Sequence, residues 1–469
     1  MDTITAIATP MGSGGIGIVK LTGKNAIEIA ETIFQSAKNT SAKNSPRFFA
    51  GKKTEESHRL FYGHIVDPES KQVIDEVLLS IMRAPHSYTR EDVVEINAHS
   101  GIVVLRSILN LVLKQGARLA GPGEFTKRAY LNGRIDLTQA EAVMDLINAK
   151  SLKSLEIAFS QLKGELKERI QSIRESLVSI LTEIEAAIDF PDDIKDINLS
   201  DNALFMQLAR AQTQIKQLID QYNSGQVLRE GLKLSIVGKP NVGKSSLLNR
   251  LLQNDRAIVT DVPGTTRDII EETVVIDGLP IVISDTAGLH RADNKIEAIG
   301  IDRTRMHIMA SDVILFLVEA GSPLTKEDFD VYQQMRGKQK ILVVNKMDLI
   351  DNKRGVEKPP EWEALKTAEI SALYNKGIEE LKHLIVTVCN EEFPFDNQDT
   401  IVPNLRQTLS LKKGLEATST ATEGIRKSIP TELIALDIKD AIQALDEIIG
   451  LNVQDEILER IFSQFCIGK

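Results

Sequence analysis

The chain has 469 residues, of which 42% are hydrophobic and 26% charged; this is typical of soluble globular proteins, and the length predicts about two to four domains. A formal net charge of −10 excludes a protein that coats nucleic acid through bulk electrostatics, although it leaves room for a local basic patch. Two cysteines supply no disulfide framework or metal-ligand spacing, and neither a secretory signal nor a membrane span is predicted. We therefore expect a cytoplasmic protein.

Residues 1 to about 118 predict a mixed α/β region, in which β-like runs alternate with helical periodicity. A glycine-rich run, Gly12–Gly17, resembles a dinucleotide-binding fingerprint only loosely, because it lies between strand-like segments and opens no helix. It predicts either a tight loop or a close backbone approach to a small ligand. The strand-like segments are Ile4–Ala8, Gly17–Leu21, Val77–Met82 and Asp92–Ile96, and the helical ones are Ala26–Phe34 and Val103–Lys114.

Helical periodicity begins at Leu137 and continues for about 50 residues. Another helix is predicted at roughly Asn202–Asn223, and the chain turns helical again from Thr400 to the C-terminus. We interpret the basic residues along these helices as a solvated face rather than an RNA site. A different module lies between the two helical runs, so both are expected to build one helical domain.

The run Gly238–Ser245 has the spacing of a phosphate-binding loop, and it lies between the strand-like segment Leu232–Val237 and an amphipathic helix. Its glycines let the backbone curl so that N–H groups point at phosphate oxygens, and the helix N-terminus adds partial positive charge. Lys244 can reach the β- and γ-phosphates, and the Ser245 hydroxyl can bind Mg²⁺. The alternative is an ordinary glycine turn before a helix.

Two later segments are typical of the switch regions of a nucleotide hydrolase. Asp285–Gly288 follows the strand-like segment Pro280–Ser284. The Asp285 carboxylate can hold Mg²⁺, and the Gly288 N–H can contact the γ-phosphate. The polar run Gly264–Asp268 lies where a Mg²⁺-sensing threonine is expected.

Guanine recognition is predicted where Asn345–Asp348 follows the strand-like segment Ile341–Val344. Asp348 is an acceptor-only carboxylate that can take both N1–H and N2–H₂ of guanine, a pairing that adenine does not offer. Ser371 and Ala372 would then close over the guanine O6. Motifs in this order predict a GTPase rather than a generic ATPase.

Hydrolysis needs a group that orients water, and the position after Gly288 holds Leu289, which cannot do so. Glu297, at the start of the predicted helix Glu297–Met309, is a candidate base. The alternative interpretation of Glu297 is a favourable charge at a helix N-terminus.

Motifs along the whole chain resemble the MnmE (TrmE) family of TrmE-Era-EngA-like GTPases. Two features resemble the motifs of the wider group, which includes Era and Der: Asn241 inside the phosphate loop, and Leu289 directly after Asp285–Gly288. The segments that resemble MnmE itself, in collinear order, are Ala8–Pro10 with Gly14–Ile18, Pro122–Leu137, Glu185–Pro191 and Phe465–Lys469.

The resemblance implies a K⁺-activated GTPase that works with the FAD protein MnmG. Together they would add a carboxymethylaminomethyl or aminomethyl group to C5 of the wobble uridine of certain tRNAs. The one-carbon unit would come from 5-formyl- or 5,10-methylene-tetrahydrofolate. GTP hydrolysis would drive G-domain dimerisation and a conformational change within a homodimer, which binds MnmG as a heterotetramer.

The resemblance also implies the fold class, which is α/β plus all-α, and the order of the domains. Residues 1–118 would form an α/β domain for tetrahydrofolate binding and dimerisation. Residues 119–222 and 391–469 would form the two parts of a helical domain. Residues 223–390 would form the inserted Ras-like P-loop GTPase domain.

Site residues follow from the matching motifs. Glu297 is the implied catalytic residue, which polarises the attacking water through a second water. Cys466 resembles the family's C-terminal cysteine, and its alternative role is a small buried hydrophobe. The implied folate contacts are Lys20, Glu95, Arg134 and Lys469; the Mg²⁺ ligands are Ser245, Thr266 and Asp285; the K⁺ ligands are Asn241, Thr260, Val262 and Thr265. The implied GTP contacts are Asn241, Val242, Gly243, Lys244, Ser245, Ser246, Thr260, Asp261, Val262, Pro263, Gly264, Thr265, Thr266, Asp285, Thr286, Ala287, Gly288, Asn345, Lys346, Asp348, Ser371 and Ala372.

Two other functions compete with this interpretation. A ribosome-assembly switch of the Era or Der type would need no modification chemistry, but nothing outside the nucleotide motifs resembles a KH or other RNA-binding module. A dynamin-like mechanical GTPase would need a membrane-binding segment, which the sequence does not predict.

Overall fold

A computed structural model describes residues 2–12, 14–37, 57–189, 202–255, 271–284, 308–350, 357–393 and 401–469. Its strands are β1 (Ile4–Ile7), β2 (Ile16–Thr22), β3 (Phe34–Ser36), β4 (Arg59–Val66), β5 (Val73–Met82), β6 (Val93–His99), β7 (Arg118–Leu119), β8 (Leu232–Val237), β9 (Glu271–Ile276), β10 (Leu279–Ser284), β11 (Val313–Glu319), β12 (Gln339–Asn345) and β13 (Thr367–Glu369). Its α-helices are α1 (Ala26–Ile33), α2 (Ile102–Lys114), α3 (Glu124–Leu131), α4 (Leu137–Ile147), α5 (Leu152–Lys163), α6 (Glu165–Asp189), α7 (Asn202–Glu230), α8 (Lys244–Asp255), α9 (Lys326–Gln334), α10 (Ile378–Glu392), α11 (Leu405–Arg426), α12 (Thr431–Ile449) and α13 (Asp455–Ser463).

The chain divides into two compact units, one of Met1–Met144 with Asp446–Lys469 and one of Asp145–Leu445. The first unit is built on a seven-stranded sheet in the order β3-β4-β5-β6-β2-β1-β7. All neighbouring strands are antiparallel except β1 and β7, which are parallel. This is the α/β architecture that the sequence predicts for the N-terminal region.

Helices α1 and α2 cover one face of that sheet. Leu79 and Ile81 of β5 are buried in a core that also contains Ile29 of α1 and Ile108 of α2. Because strand side chains alternate between faces, Leu78 lies on the other face, where it is exposed. Burial of one face therefore sets the register of the sheet.

The predicted strands and helices of this region correspond to β1, β2, β5, β6, α1 and α2. The described residues of the glycine run Gly12–Gly17 lead from β1 into β2, and no helix begins there. A loop without a following helix agrees with the sequence interpretation that this run is not a dinucleotide fingerprint, and a close backbone approach to a small ligand stays a prediction. Strand β4 was not among the predicted segments.

In the helical part of the chain, the pattern that starts at Leu137 is divided into α4, α5 and α6. Ser151 caps α5, because its side chain accepts a hydrogen bond from the Ser154 N–H. Gly164 ends α5 in the left-handed conformation, with φ 94°. The apolar period continues through both breaks, so the period alone did not reveal them.

Helix α7 is longer than the predicted Asn202–Asn223, since it continues to Glu230 and stops at Gly231, where φ is 93°. It joins the two helical runs of the chain, because Gln212 of α7 donates hydrogen bonds to Thr418 O at 2.9 Å and Thr422 Oγ1 at 2.8 Å on α11. The helical domain is thus assembled from two chain segments.

A second sheet has six strands in the order β13-β12-β11-β8-β10-β9. Its neighbours are parallel except for the hairpin β9–β10. Ile157 of α5, Val227 of α7 and Val402 share one buried core with this sheet. The parallel strands bring their carboxyl ends to one edge, where ligands of α/β sheets bind, as expected of the inserted nucleotide-binding domain. Within the described ranges, no helix is long and apolar enough to cross a membrane.

Candidate nucleotide site and a second, cationic cluster

The phosphate loop lies between β8 and α8, at the carboxyl edge of the six-stranded sheet. A Cβ on Gly238 would lie 2.5 Å from the Leu317 carbonyl oxygen of β11, so only glycine fits there. Gly243 adopts φ 99°, and a Cβ on it would lie 2.3 Å from Asn345 Nδ2. Asn241 is left-handed as well, with φ 65°, a conformation that asparagine tolerates better than most residues.

The Lys244 side chain reaches back to the first two residues of the phosphate loop. Its Nζ donates hydrogen bonds to the carbonyl oxygens of Gly238 at 2.8 Å and Lys239 at 2.9 Å. Burial lowers the pKa of Lys244 below its ordinary value, because the charged form loses hydration. The loop thus holds a partly desolvated cation among main-chain dipoles, which is an arrangement suited to polyphosphate.

Two segments that the sequence assigns to guanine lie beside this loop. Asn345 at the end of β12 donates from Nδ2 to Val242 O at 2.8 Å, and its Oδ1 accepts from the Ala372 N–H at 3.0 Å. The Ser371 hydroxyl donates to Asp348 Oδ1 at 2.5 Å. One buried asparagine therefore ties the phosphate loop to the segment expected to meet guanine.

The structure brings together Asn241–Ser246, Asn345–Asp348, Ser371 and Ala372 of the sequence-predicted nucleotide residues. Lys346 pairs with Glu319 at the end of β11, with Nζ 3.0 Å from Oε1. The other predicted residues lie outside the described ranges: Thr260, Asp261, Val262, Pro263, Gly264, Thr265, Thr266, Asp285, Thr286, Ala287, Gly288 and Glu297.

A second cluster of charged side chains lies in the first unit, where residues far apart in sequence meet around Lys20. The Lys20 Nζ is 3.5 Å from Glu95 Oε1, on the neighbouring strand β6. Burial lowers the pKa of Lys20, and the positive charges of Lys469 and Arg134 lower it further, while Glu95 opposes them. All four residues predicted for folate are therefore close enough to interact.

Two aromatic rings complete this group, and sequence reasoning did not identify them. The Lys20 Nζ lies 4.9 Å from the centre of the Tyr88 ring and 5.3 Å from that of Phe125. Arg134 also lies over Tyr88, at 4.7 Å, and donates to the Tyr88 carbonyl at 2.9 Å. The Lys20 cluster is defined here as Lys20, Tyr88, Glu95, Phe125, Arg134 and Lys469. Only the sparseness of aromatic residues, 4% of the chain, could have drawn attention to the rings.

The C-terminal tail reaches this cluster by main-chain pairing. Phe125 N–H donates to Lys469 O at 3.1 Å, and Gly123 N–H donates to Cys466 O at 3.4 Å. A Cβ on Gly468 would lie 2.8 Å from the Cα of Ala8, so the tail packs closely against the end of β1. Cys466 is exposed, so its alternative interpretation as a small buried hydrophobe is wrong.

Known proteins match this chain along its full length. A family model described as "MnmE helical domain" matches residues 137–466, and one described as "GTP-binding protein TrmE N-terminus" matches residues 3–134. The chain is 43% identical over 469 residues to the tRNA modification GTPase MnmE of Carboxydothermus hydrogenoformans, covering 100% of this chain and 99% of that protein. It is 42% identical to the proteins of that name from Enterococcus faecalis, over 100% of this chain and 98% of the relative, and from Staphylococcus aureus strain Newman, over 100% of both.

Proposed function

Because the chain belongs to the MnmE family of tRNA modification GTPases, we propose that it acts with an MnmG-type FAD protein on the wobble uridine of certain tRNAs. The product would carry a carboxymethylaminomethyl or aminomethyl group on C5, with its one-carbon unit taken from a tetrahydrofolate. The chain itself is a GTP hydrolase, and tRNA is the substrate of the modification. The full-length match to MnmE proteins is the observation that carries this proposal.

GTP would bind at the carboxyl edge of the six-stranded sheet. Lys244 would exchange its two carbonyl partners for the β- and γ-phosphates, and burial strengthens that attraction because the local dielectric is low. Asp348 would accept from guanine N1–H and N2–H₂ while Ser371 holds its carboxylate in place. Mg²⁺, general to GTPases, would neutralise phosphate charge, with Ser245, Thr266 and Asp285 as its proposed ligands.

Hydrolysis would depend on K⁺ and on Glu297. A K⁺ beside the phosphates would supply positive charge where other GTPases use an arginine. Asn241 lies in the phosphate loop, and its side-chain amide oxygen is a proposed K⁺ ligand; Thr260, Val262 and Thr265 are the other proposed ligands. Glu297 would orient the attacking water through a second water. Hydrolysis should be several-fold slower when Na⁺ replaces K⁺, and indifference to the cation would contradict the role of Asn241.

The Lys20 cluster has the chemistry that a tetrahydrofolate requires. Its cationic side chains suit the glutamate carboxylates of a folate, its rings suit the flat pterin, and Glu95 can accept from pterin N–H groups. The bound folate would provide the one-carbon unit. Lys20, Arg134 and Lys469 would hold its charged groups, and the tail pairing at Phe125 would fix Lys469 in place.

The assembly proposed is a cytoplasmic homodimer joined through the folate domains, which binds the FAD protein as a heterotetramer. The domain limits proposed are 1–118, 119–222, 223–390 and 391–469. Because α7 passes directly into β8 of the nucleotide sheet, G-domain closure would be transmitted to the helical domain through that helix.

Nucleoside mass spectrometry of tRNA from cells with and without this gene tests the proposal. We expect the C5-modified wobble uridine to disappear without the gene and to return with the parent chain. It should not return with Glu297→Ala, although that variant should bind GTP nearly as well as the parent. Unchanged modification would instead favour a ribosome-assembly switch of the Era or Der type.

A further inference from the structure

Arg250 links the helix that follows the phosphate loop to the segment that faces the base. This segment, called here the base loop, is residues 370–377. The Arg250 Nε donates to Ala372 O at 3.2 Å, and Nη2 donates to Leu373 O at 3.0 Å. The Nη1 donates to Gln253 Oε1 at 3.3 Å, one turn further along α8. The guanidinium is therefore hydrogen-bonded to a side chain of its own helix and to two successive carbonyls of the base loop.

The base loop is closed on itself but has few ties to the phosphate loop. Ser371 and Lys376 exchange two main-chain hydrogen bonds, of 3.0 and 3.1 Å, which shape the loop as a tight hairpin. A Cβ on Gly377 would lie 2.2 Å from Glu369 O, so the hairpin turns closely against β13. These contacts set the shape of the loop. Its first residue, Ile370, pairs with the main chain of Val344 and Met347. Asn345 and Arg250 tie the following residues to the phosphate loop and to α8.

The two carbonyls that Arg250 holds determine the direction of the amides after them. A trans peptide places each N–H opposite its carbonyl, so fixing Leu373 O also fixes the Tyr374 N–H. That N–H donates to Ser371 Oγ at 3.3 Å, and the same hydroxyl donates to the Asp348 carboxylate. Arg250 thus stands at one end of a hydrogen-bonded chain whose other end is the carboxylate expected to recognise guanine.

We propose that Arg250 is a positioning residue for guanine selection, which aligns the base loop and, through Ser371, the Asp348 carboxylate. Arg250 contacts neither the base nor the phosphates in this role. Its planar fork suits two adjacent carbonyls, and the single ammonium group of a lysine could hold only part of that geometry. The proposal rests on the guanine contacts proposed above for Asp348, Ser371 and Ala372.

The test uses the diphosphate of 2-aminopurine riboside beside GDP. This fluorescent analogue keeps the phosphates, the ribose and the 2-amino group but lacks O6 and the N1–H. Its affinity is read from its own fluorescence, and that of GDP from displacement of the analogue. In the full-length Arg250→Ala protein we expect GDP to bind about tenfold more weakly. The analogue keeps the 2-amino contact with Asp348 but not the N1–H contact, so it should bind about threefold more weakly at most. The GDP affinity of Arg250→Lys should lie between that of the parent and that of Arg250→Ala.

The control is Arg336→Ala, which removes an equal charge from an exposed position in the same unit and should leave both affinities unchanged. Equal weakening of GDP and analogue by Arg250→Ala would mean that the side chain supports the fold or the phosphate site generally, and would overturn the proposal. An unchanged GDP affinity would overturn it too. If the parent itself bound GDP no better than the analogue, the guanine contacts of the proposed function would be wrong instead.

Discussion

The phosphate loop and the Lys20 cluster are built from different kinds of contact. In the phosphate loop the acceptors are main-chain carbonyls, since Lys244 donates to Gly238 and Lys239 and Asn345 donates to Val242. In the Lys20 cluster the contacts of Lys20 itself are with side chains, such as the pair Lys20–Glu95 and the ring of Tyr88, although Arg134 also donates to the Tyr88 carbonyl. A site built on the main chain depends on backbone conformation, whereas a site built on side chains depends on residue identity.

The largest effect is expected where backbone conformation is most constrained. Gly243→Ala should weaken GTP binding by roughly 30- to 160-fold, which corresponds to about 2–3 kcal/mol. The left-handed conformation at φ 99° costs a non-glycine residue roughly 1–2 kcal/mol. The new Cβ would also displace Asn345, at about 1 kcal/mol for the lost hydrogen bond. The control is Gly278→Ala, which has φ 82° in open space and should lower stability without changing affinity. Equal GTP affinities in the parent and Gly243→Ala, measured by titration calorimetry, would show that the backbone conformation at this position does not control nucleotide binding.

The next effect arises where the phosphate loop also relies on charged side chains. Lys239 Nζ lies 3.0 Å from Oδ2 of Asp328, which is 0% exposed and caps α9 by accepting from the Thr325 N–H at 2.8 Å. Lys239→Met should lower the free energy of unfolding by about 2 kcal/mol, since a buried carboxylate loses its counter-charge. Lys346→Met breaks a pair of equal length whose partner Glu319 is 24% exposed, so its cost should be below about 1 kcal/mol. If urea unfolding gave similar losses of unfolding free energy for Lys239→Met and Lys346→Met, burial of the carboxylate partner would not determine the strength of these ion pairs.

A tenfold effect is expected when residue identity changes in the Lys20 cluster. Tyr88→Leu should weaken binding of 5-formyltetrahydrofolate about tenfold, because Lys20 and Arg134 both lose the ring that they lie over. Tyr88→Phe keeps the ring and loses only the hydroxyl contact with Thr126, so its affinity should remain within about twofold. Calorimetric titration distinguishes these outcomes, and equal loss in both variants would assign the effect to the hydroxyl.

The smallest effect is a pH dependence of folate binding. Burial lowers the pKa of Lys20 from 10.5, so this residue loses its charge at a lower pH than an ordinary lysine. An anionic ligand binds the charged form, and its affinity should therefore fall as the pH rises through the lowered pKa. We expect a modest loss of affinity at a pH below that at which an ordinary lysine loses its charge. Lys20→Arg stays charged at that pH, and a profile identical to that of the parent would exclude Lys20 as the titrating group.

From the sequence alone we predicted the residues that are proposed for nucleotide binding. Phosphate and guanine recognition in nucleotide-binding proteins uses short runs at the ends of strands, so Gly238–Ser245, Asn345–Asp348 and Ser371 could be proposed from spacing. The strand–loop–helix context is equally local, because β8 and α8 directly flank the loop. The α/β and helical regions could likewise be predicted, because the spacing of apolar residues along the sequence indicates strands and helices.

Contacts between residues that are distant in sequence could be seen only in the folded chain. Tyr88 and Phe125 join Lys20 because α3 and β2 pack in one unit, and no spacing pattern connects those positions. Arg250 meets the base loop because α8 and β13 belong to one sheet unit, although more than a hundred positions separate them, as in the sequence separation of 122 for the Ala372 contact. Such contacts are set by how buried faces pack, which depends on the whole chain at once, whereas a motif needs only its neighbours.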